Sequence, residues 1–345
     1  MLIIFIIFFN NYQFILSVNI SYNLSNSDKP KISIFMPIYN KDKYIKKSIE
    51  SIQNQSLKEL EIIAINDYSN DTSLKLLQEL KNNDSRIKII NNDNNYGLLY
   101  SRAMGILNSN GEYLMNLDPD DELEGSDNLD YLYKKVKKAK VDLISFGVLF
   151  KNNNGIVNKC TNYHKIYRQP ELFKSIFNSV YLLNDFLVWN KLVKKNIYLK
   201  AYEEFKDKIY KQKWNYHEDN IWSILVNKYA KNKICVKKLI YIYNNMNDSL
   251  MNNRHDLMEL NNILYRHFMF NKIFNNKEDI KYLYAEYLEI ISFIEESNNY
   301  FLLIKKNKNI KRELIKIFVG FTKNYEIKDL ITKKKILNFL NKIYI

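Results

Sequence analysis

Cysteine is scarce in this chain of 345 residues, and its scarcity excludes two structural classes. Cys160 and Cys235 lie far apart in the sequence, match no zinc-ligand spacing, and are too few to form a disulfide framework. We interpret both as thiols of the hydrophobic core. The sequence therefore fits neither a zinc-finger protein nor a small disulfide-stabilised domain, and cysteine usage leaves the cellular compartment open.

Glycine and proline are also rare, with 7 and 4 residues. No GxxxxGK motif occurs, and the stretch FMPIYNKDKY at the end of the first candidate strand contains no glycine. A nucleotidyltransferase that binds a triphosphate on a glycine-rich loop is therefore disfavoured. Asn, Lys, Ile and Tyr are abundant instead, so a single Asn or Lys carries little information.

The net charge of +14 is concentrated near one end of the chain. Residues 301–345 contain 12 Lys or Arg and 3 Asp or Glu, which contributes 12 − 3 = +9. No recognisable nucleic-acid-binding module accompanies this charge, which argues against a nucleic-acid partner. We expect residues 251–345 to form a basic helical extension, which either docks on an anionic membrane surface or is a solvated helix bundle.

Residues 1–29 begin with an apolar run, Met1 to Phe9, followed by a polar break. The run is shorter than the ~20 apolar residues of a membrane-spanning helix. It matches the length of a signal-peptide core, but the first basic residue is Lys29, so the usual basic start is missing. A cleaved signal, a signal anchor and an inert tail remain open for this signal-like segment and linker.

The pattern from residue 31 onward alternates between short apolar runs and helical periodicity. KISIFMPIYN is typical of a buried strand, and Ile45, Ile49 and Ile52 in the next segment recur at helical spacing. Three further strand-like runs follow, separated by helical segments. Such alternation predicts an α/β fold with a mostly parallel sheet flanked by helices, and the 46% of hydrophobic residues suffice for a large core.

Candidate site residues follow three of the predicted strands. They are Pro37, Tyr39 and Asn40 after the first strand, Asp67 after the second, and Asp118, Asp120 and Asp121 after the fourth. Ligands of open parallel sheets bind where these carboxyl ends meet. Closely spaced carboxylates without His or Cys favour Mg²⁺ or Mn²⁺ together with a phosphate-bearing partner. An aspartate-rich helix cap, a core Tyr39 and a helix-capping Asp67 are the structural alternatives.

Five ordered motifs indicate a family. SIFMPIYNKDKYIKKSIESIQNQSLKELEIIAINDYSNDTS and NNYGLLYSRAMGILNSNGEYLMNLDPDDEL are followed by VWNKLVKKNIY, HEDNIW and YIYNNMNDS. Together they resemble the family 2 glycosyltransferases of the GT-A fold, in particular those that build surface polysaccharides. The resemblance covers roughly residues 31 to 250. It implies that residues 30–145 bind a nucleotide-sugar and that residues 146–250 supply the acceptor site and the catalytic base.

The resemblance also implies roles for individual residues. Tyr39 and Asp67 would hold the base, commonly uracil, Pro37 and Asn40 would belong to the same donor site, and Arg102 would lie near the nucleotide. Asp118 and Asp120 would form the DxD motif that holds ribose and metal, with Asp121 as an added or substitute ligand. Asp219 would be the catalytic base, with Glu218 orienting the site or the acceptor. Trp189, Asn190 and Lys191 would line the acceptor side, although as bare residues they fit core packing equally well.

The implied reaction is an inverting, metal-dependent transfer of a hexose or N-acetylhexosamine from a nucleotide-sugar, expected to be a UDP-sugar. The acceptor would be a hydroxyl of a saccharide or of a lipid-linked acceptor. Such a protein is expected to be membrane-associated: in the secretory or endomembrane system if residues 1–29 are a signal or anchor, and otherwise at the cytoplasmic face of a membrane.

Three positions depart from the family pattern. Asn66 replaces a usual Asp, Met104 replaces a usual Asn, and Asn244 stands where Arg is frequent. These departures concern the affinity for base and phosphate rather than the metal site. They keep open a non-catalytic homologue that binds a nucleotide-sugar or a partner protein.

Overall fold

A computed structural model describes residues 29–152, 155–160, 165–169, 171–172, 187–209, 213, 215 and 218–244, and three isolated residues at 312, 315 and 338. The predicted signal-like segment lies outside the described residues, apart from residue 29, and so does nearly all of the predicted basic extension. Within the part of the chain that is described, no helix combines the length and the hydropathy needed to cross a membrane.

The elements follow one another in the predicted alternating order. They are β1 (Ile32–Ile38), α1 (Asp42–Gln53), β2 (Leu60–Asn66), α2 (Ser73–Asn83), β3 (Ile87–Asn91), α3 (Leu98–Asn108), β4 (Tyr113–Asn116), β5 (Glu122–Leu123), α4 (Asn128–Ala139), β6 (Leu143–Asn152), β7 (Gly155–Cys160), β8 (Lys165–Arg168), β9 (Lys191–Lys194), α5 (Lys195–Ile209), α6 (Glu218–Tyr229) and β10 (Asn232–Asn244).

One sheet contains all of these strands, in the order β3-β2-β1-β4-β9-β6-β10-β5, with β7 beside β6 and β8 beside β10. Strands β1 to β4 are parallel, and β6 is parallel to β10. Every residue of β1 and β2 is buried, as expected for parallel strands that are covered on both faces. Helix α1 presents Ile45, Ile49 and Ile52 to the core, which the helical spacing predicted.

The second half of the sheet is more antiparallel than the sequence predicted. Strand β9 runs antiparallel to both of its neighbours, β4 and β6, and β5, β7 and β8 also pair antiparallel. An apolar run predicts a buried strand but carries no information on its direction, so the pattern VWNKLVKK left this open. Cys235 on β10 is buried and forms no disulfide, as expected for a thiol of the core.

Gly111 lies where the chain enters β4, in close contact with the backbone of β1. A Cβ atom at this position would lie 2.5 Å from the backbone nitrogen of Ser33 and 2.6 Å from its Oγ. The backbone N–H of Gly111 also donates to Ser33 Oγ (2.7 Å). Only glycine fits this contact without a shift of the central strand.

We expect Gly111→Ala to lower the free energy of unfolding by about 2 kcal/mol, since the added methyl group meets backbone atoms that cannot move independently. Urea denaturation of the purified protein measures this loss. Combining the change with Ser33→Ala removes the Oγ contact but not the contact with the backbone nitrogen, so the double variant should remain destabilised. Recovery to wild-type stability would show that the hydroxyl alone causes the clash.

Candidate functional site

The carboxyl ends of β1 and β2 form one side of the site. The backbone N–H of Asp67 donates to Ile38 O (2.8 Å), which joins the two strand ends. The buried carboxylate of Asp67 accepts hydrogen bonds from Asn92 Nδ2 (2.8 Å) and from the backbone N–H groups of Tyr96 (2.9 Å) and Gly97 (2.7 Å). Asp67 therefore fixes the turn between β3 and α3 as well as lying at the predicted base-binding edge.

Two tyrosines are exposed at this edge, although only one of them was predicted. Tyr39 is 43% exposed and Tyr68 is 57% exposed, directly after Asp67. Tyr68 has φ of 62°, a left-handed conformation that is rare for a bulky residue. Lys213 Nζ lies 5.7 Å from the centroid of the Tyr39 ring. Tyr68 lies within the first motif, but only its position beside Asp67 could have indicated its place in the site, and Lys213 belongs to none of the five motifs.

The loops that carry the tyrosines are joined by hydrogen bonds. Asn40 adopts φ of 51°, its backbone N–H donates to Ser69 Oγ (3.1 Å), and its Oδ1 accepts from the backbone N–H of Asn70 (2.9 Å). Pro37 is placed differently from the expectation. It is buried within β1 opposite Ile65, so it shapes the strand and is not at an exposed surface of the site.

Asp118 and Asp120 keep part of their carboxylates accessible, with 21% and 18% of each side chain exposed. Asp118 accepts from Asn116 Nδ2 (2.8 Å) and from Arg102 Nη2 (3.1 Å). Asp120 accepts from Lys41 Nζ (2.6 Å), a contact that the sequence did not predict. These two aspartates are the acidic groups of the cluster that a ligand can reach.

Asp121 is placed differently from the predicted metal ligand. Its side chain is buried, with Oδ2 accepting from the Tyr241 hydroxyl (2.6 Å) and Oδ1 accepting from the backbone N–H of Asn244 (2.8 Å). Burial, together with the charges of Asp120 and Asp118, raises the pKa of Asp121 well above its ordinary value. This geometry makes Asp121 a structural link to β10.

Arg102 is the central group of the site. This buried side chain on α3 contacts Asn116 through Nε (3.2 Å), Asp118 through Nη2 (3.1 Å) and Glu218 through Nη1. Burial opposes the charged guanidinium, but attraction to Glu218, Asp118 and Asp219 outweighs it and raises the pKa of Arg102. Arg102 thus joins the acidic cluster to the first turn of α6.

Glu218 and Asp219 begin helix α6. Glu218 is buried, and burial together with the charge of Asp219 raises its pKa to about 7, although Arg102 acts in the opposite direction. Asp219 is half-buried, and its Oδ1 accepts from the backbone N–H of Asn220 (2.9 Å). Sequence motifs that are far apart in the chain therefore meet here, with one carboxylate buried and its neighbour partly accessible.

The three residues predicted for the acceptor side form a buried wall beside the acidic cluster. Trp189 stacks on Tyr241, with ring centroids 4.7 Å apart, and on Tyr243 at 5.6 Å. Lys191 is fully buried, and its Nζ donates to Leu187 O and to Asn190 Oδ1 (2.8 Å). Tyr241 also donates a hydrogen bond to Asp121, so this wall contacts the acidic cluster through Tyr241. Contact with an acceptor remains a prediction for these residues.

The three residues that depart from the family pattern, Asn66, Met104 and Asn244, lie on β2, α3 and β10. Asn66 at the end of β2 donates from Nδ2 to Asn91 Oδ1 (2.5 Å) on the neighbouring strand β3. Asn244 on β10 donates from Nδ2 to Asp120 O (2.8 Å) and to Glu122 Oε1 (3.0 Å), so it holds the backbone of the acidic turn. Met104 is half-buried on α3.

The donor atoms present suit a hard divalent cation that also has a phosphate ligand. Among the described residues, no three Asp, Glu, His or Cys side chains converge to hold a metal on their own. Mg²⁺ usually uses one or two carboxylates, with water and substrate phosphates completing its coordination. Asp118 and Asp120 supply that number, so the residues fit Mg²⁺ or Mn²⁺ bound together with a diphosphate.

One family model matches the part of the chain that carries most of the predicted site residues. Residues 33–186 match the model of glycosyl transferase family 2. Glycosyltransferase GlyA of Streptococcus pneumoniae is 30% identical over 175 residues, which are 49% of this chain and 25% of that protein. The GalNAc(5)-diNAcBac-PP-undecaprenol beta-1,3-glucosyltransferase of Campylobacter jejuni is 28% identical over 215 residues, which are 62% of this chain and 64% of that protein. The chain thus spans less than two thirds of both relatives.

The fold has a counterpart among solved structures. S. aureus TarS 1-349 in complex with UDP-GlcNAc matches with a TM-score of 0.65 and 16% identity, covering 91% of this chain and 90% of that one. At this identity the likeness concerns the fold. The predicted GT-A fold class, with a mixed sheet between helices, is confirmed.

Proposed function

Since residues 33–186 match the model of glycosyl transferase family 2, we propose that this protein transfers a sugar from a UDP-sugar to an acceptor hydroxyl. The sugar is a hexose or N-acetylhexosamine, and the acceptor is a saccharide or a lipid-linked molecule. The observation that carries the proposal is the contact of Arg102 with both Asp118 and Glu218, which brings the DxD motif and the HED motif into one site.

The donor half of the proposal rests on the strand ends. Tyr39 and Tyr68 offer exposed rings for stacking on a base, and Asp67 has a carboxylate oxygen, Oδ2, that accepts only one hydrogen bond from the described residues. The TarS structure that shares this fold is a complex with UDP-GlcNAc, which supports a UDP-sugar as the donor class. In this proposal, Asp118 and Asp120 would face the diphosphate of such a donor.

The chemical half of the proposal rests on Asp219. As the acceptor hydroxyl attacks the anomeric carbon, Asp219 takes its proton, and the bond between that carbon and the diphosphate oxygen breaks on the opposite face. The anomeric configuration therefore inverts. Arg102 and Glu218 hold the first turn of α6, which positions Asp219. A divalent cation held by Asp118 and Asp120 would neutralise the charge that develops on the leaving diphosphate.

The proposals for the acceptor and for the cellular location rest on the name of one relative and on the charge of the chain. The name of the Campylobacter jejuni relative describes a lipid-linked acceptor, an undecaprenyl diphosphate carrying sugars. The excess of 12 − 3 = 9 positive charges in residues 301–345 suits an anionic membrane surface, where such acceptors lie. We therefore propose a membrane-associated enzyme that extends a lipid-linked or surface saccharide.

The proposal is tested by incubating the purified protein with UDP-sugars and Mn²⁺ and measuring UDP release and donor binding. We expect slow UDP release with at least one donor and a loss of about 10²-fold or more in Asp120→Asn. Asp130→Asn is a matched control, because Asp130 lies on α4 and pairs with Lys134. Absence of both release and binding with every donor would favour the non-catalytic homologue that binds a partner protein.

A further inference from the structure

Lys41 forms an ion pair with one of the two reachable aspartates of the cluster. Its Nζ lies 2.6 Å from Asp120 Oδ2, and only 14% and 18% of the two side chains are exposed. Asp118 already pairs with Arg102, so Lys41 is the cation that the described residues direct at Asp120. The pair links the start of α1 to the acidic turn, across 79 residues of sequence.

The position of Lys41 conflicts with a metal ion on the same carboxylate. A Mg²⁺ ion binds carboxylate oxygens at about 2.1 Å. An ammonium group at hydrogen-bond distance from the same carboxylate would then lie within a few ångströms of a divalent cation, and like charges repel strongly in a partly buried site. Metal and ammonium therefore compete for Asp120.

The backbone of Lys41 is fixed, whereas its side chain has room to change partners. The backbone N–H donates to Ser73 Oγ (2.9 Å), and the preceding Asn40 is tied to the loop after β2. The Nζ also lies 5.6 Å from the centroid of the Tyr44 ring. A lysine ammonium on a flexible four-carbon stem can move several ångströms while its Cα stays in place.

We propose that Lys41 is an internal cation that occupies Asp120 in the nucleotide-free protein and moves to the diphosphate when metal and nucleotide bind together. This inference rests on the proposed function and adds a mechanism of ordered binding. A metal ion alone must displace Lys41 without offering it a new partner. A nucleoside diphosphate supplies that partner, so metal and nucleotide strengthen each other's binding by the same factor.

The test measures Mn²⁺ binding, through the electron paramagnetic resonance signal of free Mn²⁺, with and without UDP. We expect wild-type protein to bind Mn²⁺ weakly alone and much more tightly with UDP. Lys41→Met should bind Mn²⁺ alone about tenfold more tightly than wild type, because the competing cation is gone. In the same variant the enhancement by UDP should fall about tenfold or more, because the diphosphate has lost the ammonium.

Lys47→Met is the matched control. Lys47 lies on α1, the helix that follows Lys41, and pairs with Glu122, the first residue of β5, at 2.7 Å. Lys47→Met removes one positive charge close to the same acidic segment, so a general electrostatic effect would change Mn²⁺ affinity equally in both variants. Equal changes, or an unchanged Mn²⁺ affinity in Lys41→Met, overturn the inference. Thermal denaturation of each variant verifies that it is folded before titration.

The outcomes separate this inference from the proposed function. If wild-type protein binds UDP and Mn²⁺ and releases UDP from a donor, but Lys41→Met titrates like wild type, the proposed function stands and only the role of Lys41 is wrong. If wild-type protein binds neither Mn²⁺ nor UDP under any condition, both are wrong.

Discussion

Asp219→Asn is expected to lower the turnover number for sugar transfer by about 10³-fold while leaving UDP binding unchanged. Asparagine has nearly the same shape as aspartate but cannot take the proton of the acceptor hydroxyl. Asp219 lies in the first turn of α6, beside the Arg102–Glu218 pair, and it is the more accessible of the two acidic residues there. Steady-state transfer assays, combined with calorimetric titration of UDP, separate the loss of chemistry from a loss of donor affinity.

Asp207→Asn is the control for this experiment, because Asp207 is an exposed aspartate on α5. It should leave the turnover number within about twofold of wild type. An Asp219→Asn enzyme with full activity would mean that another group takes the proton, and Glu218 would then be the first residue to substitute. A loss of UDP binding in Asp219→Asn would instead indicate that the change disturbs the donor site.

The second large effect is expected from Arg102→Met, which should lower the free energy of unfolding by about 3–5 kcal/mol and abolish transfer. Methionine fills a similar volume but leaves the carboxyl groups of Glu218 and Asp118 without their shared cation. Breaking a buried ion pair from one side is costly because the remaining charge has lost both water and its partner. Chemical denaturation measures the loss of stability.

The loss of stability in Arg102→Met should also depend on pH. In the wild-type protein burial raises the pKa of Glu218 to about 7, above its ordinary value of 4.5, and Arg102 limits the rise. Removing Arg102 therefore raises the pKa of Glu218 further. A carboxyl group with a raised pKa binds more protons when folded than when unfolded, so its contribution to stability decreases as pH rises. The deficit should thus be smaller at about pH 5 than at about pH 8.

Adding Glu218→Gln to Arg102→Met provides the internal control. The double variant no longer buries an unpaired Glu218 carboxylate, so its stability should recover in part and its pH dependence should weaken. A cost below about 1 kcal/mol in Arg102→Met alone would contradict the buried bridge, because that is the range of exposed ion pairs.

Much of the N-terminal half of the fold could be predicted from the sequence. The apolar runs and the spacing of Ile45, Ile49 and Ile52 predicted buried parallel strands alternating with amphipathic helices, and the structure has them. The acidic residues follow β4 and Asp67 follows β2, at the strand ends where the sequence predicted them. These features could be predicted because they depend on the local spacing of apolar residues, which the sequence shows directly. The general rule that parallel strands have their carboxyl ends at one edge of the sheet supplies the rest.

The partners of the site residues could not be predicted in this way. Asp121 is buried against Tyr241, Lys41 pairs with Asp120, and Arg102 reaches Glu218 across 116 residues of sequence. A DxDD motif does not indicate which of its carboxylates faces solvent, because that depends on how β10 packs against the acidic turn. The antiparallel direction of β9 is likewise decided by its neighbours β4 and β6.

The sequence by itself determined the class of fold and which residue types arrive at the sheet edge, since local periodicity and motif order carry that information. Only the tertiary structure decided which charges neutralise one another there. Ion pairing and burial depend on distances of a few ångströms between segments far apart in the chain, and these distances exist only once the sheet has assembled.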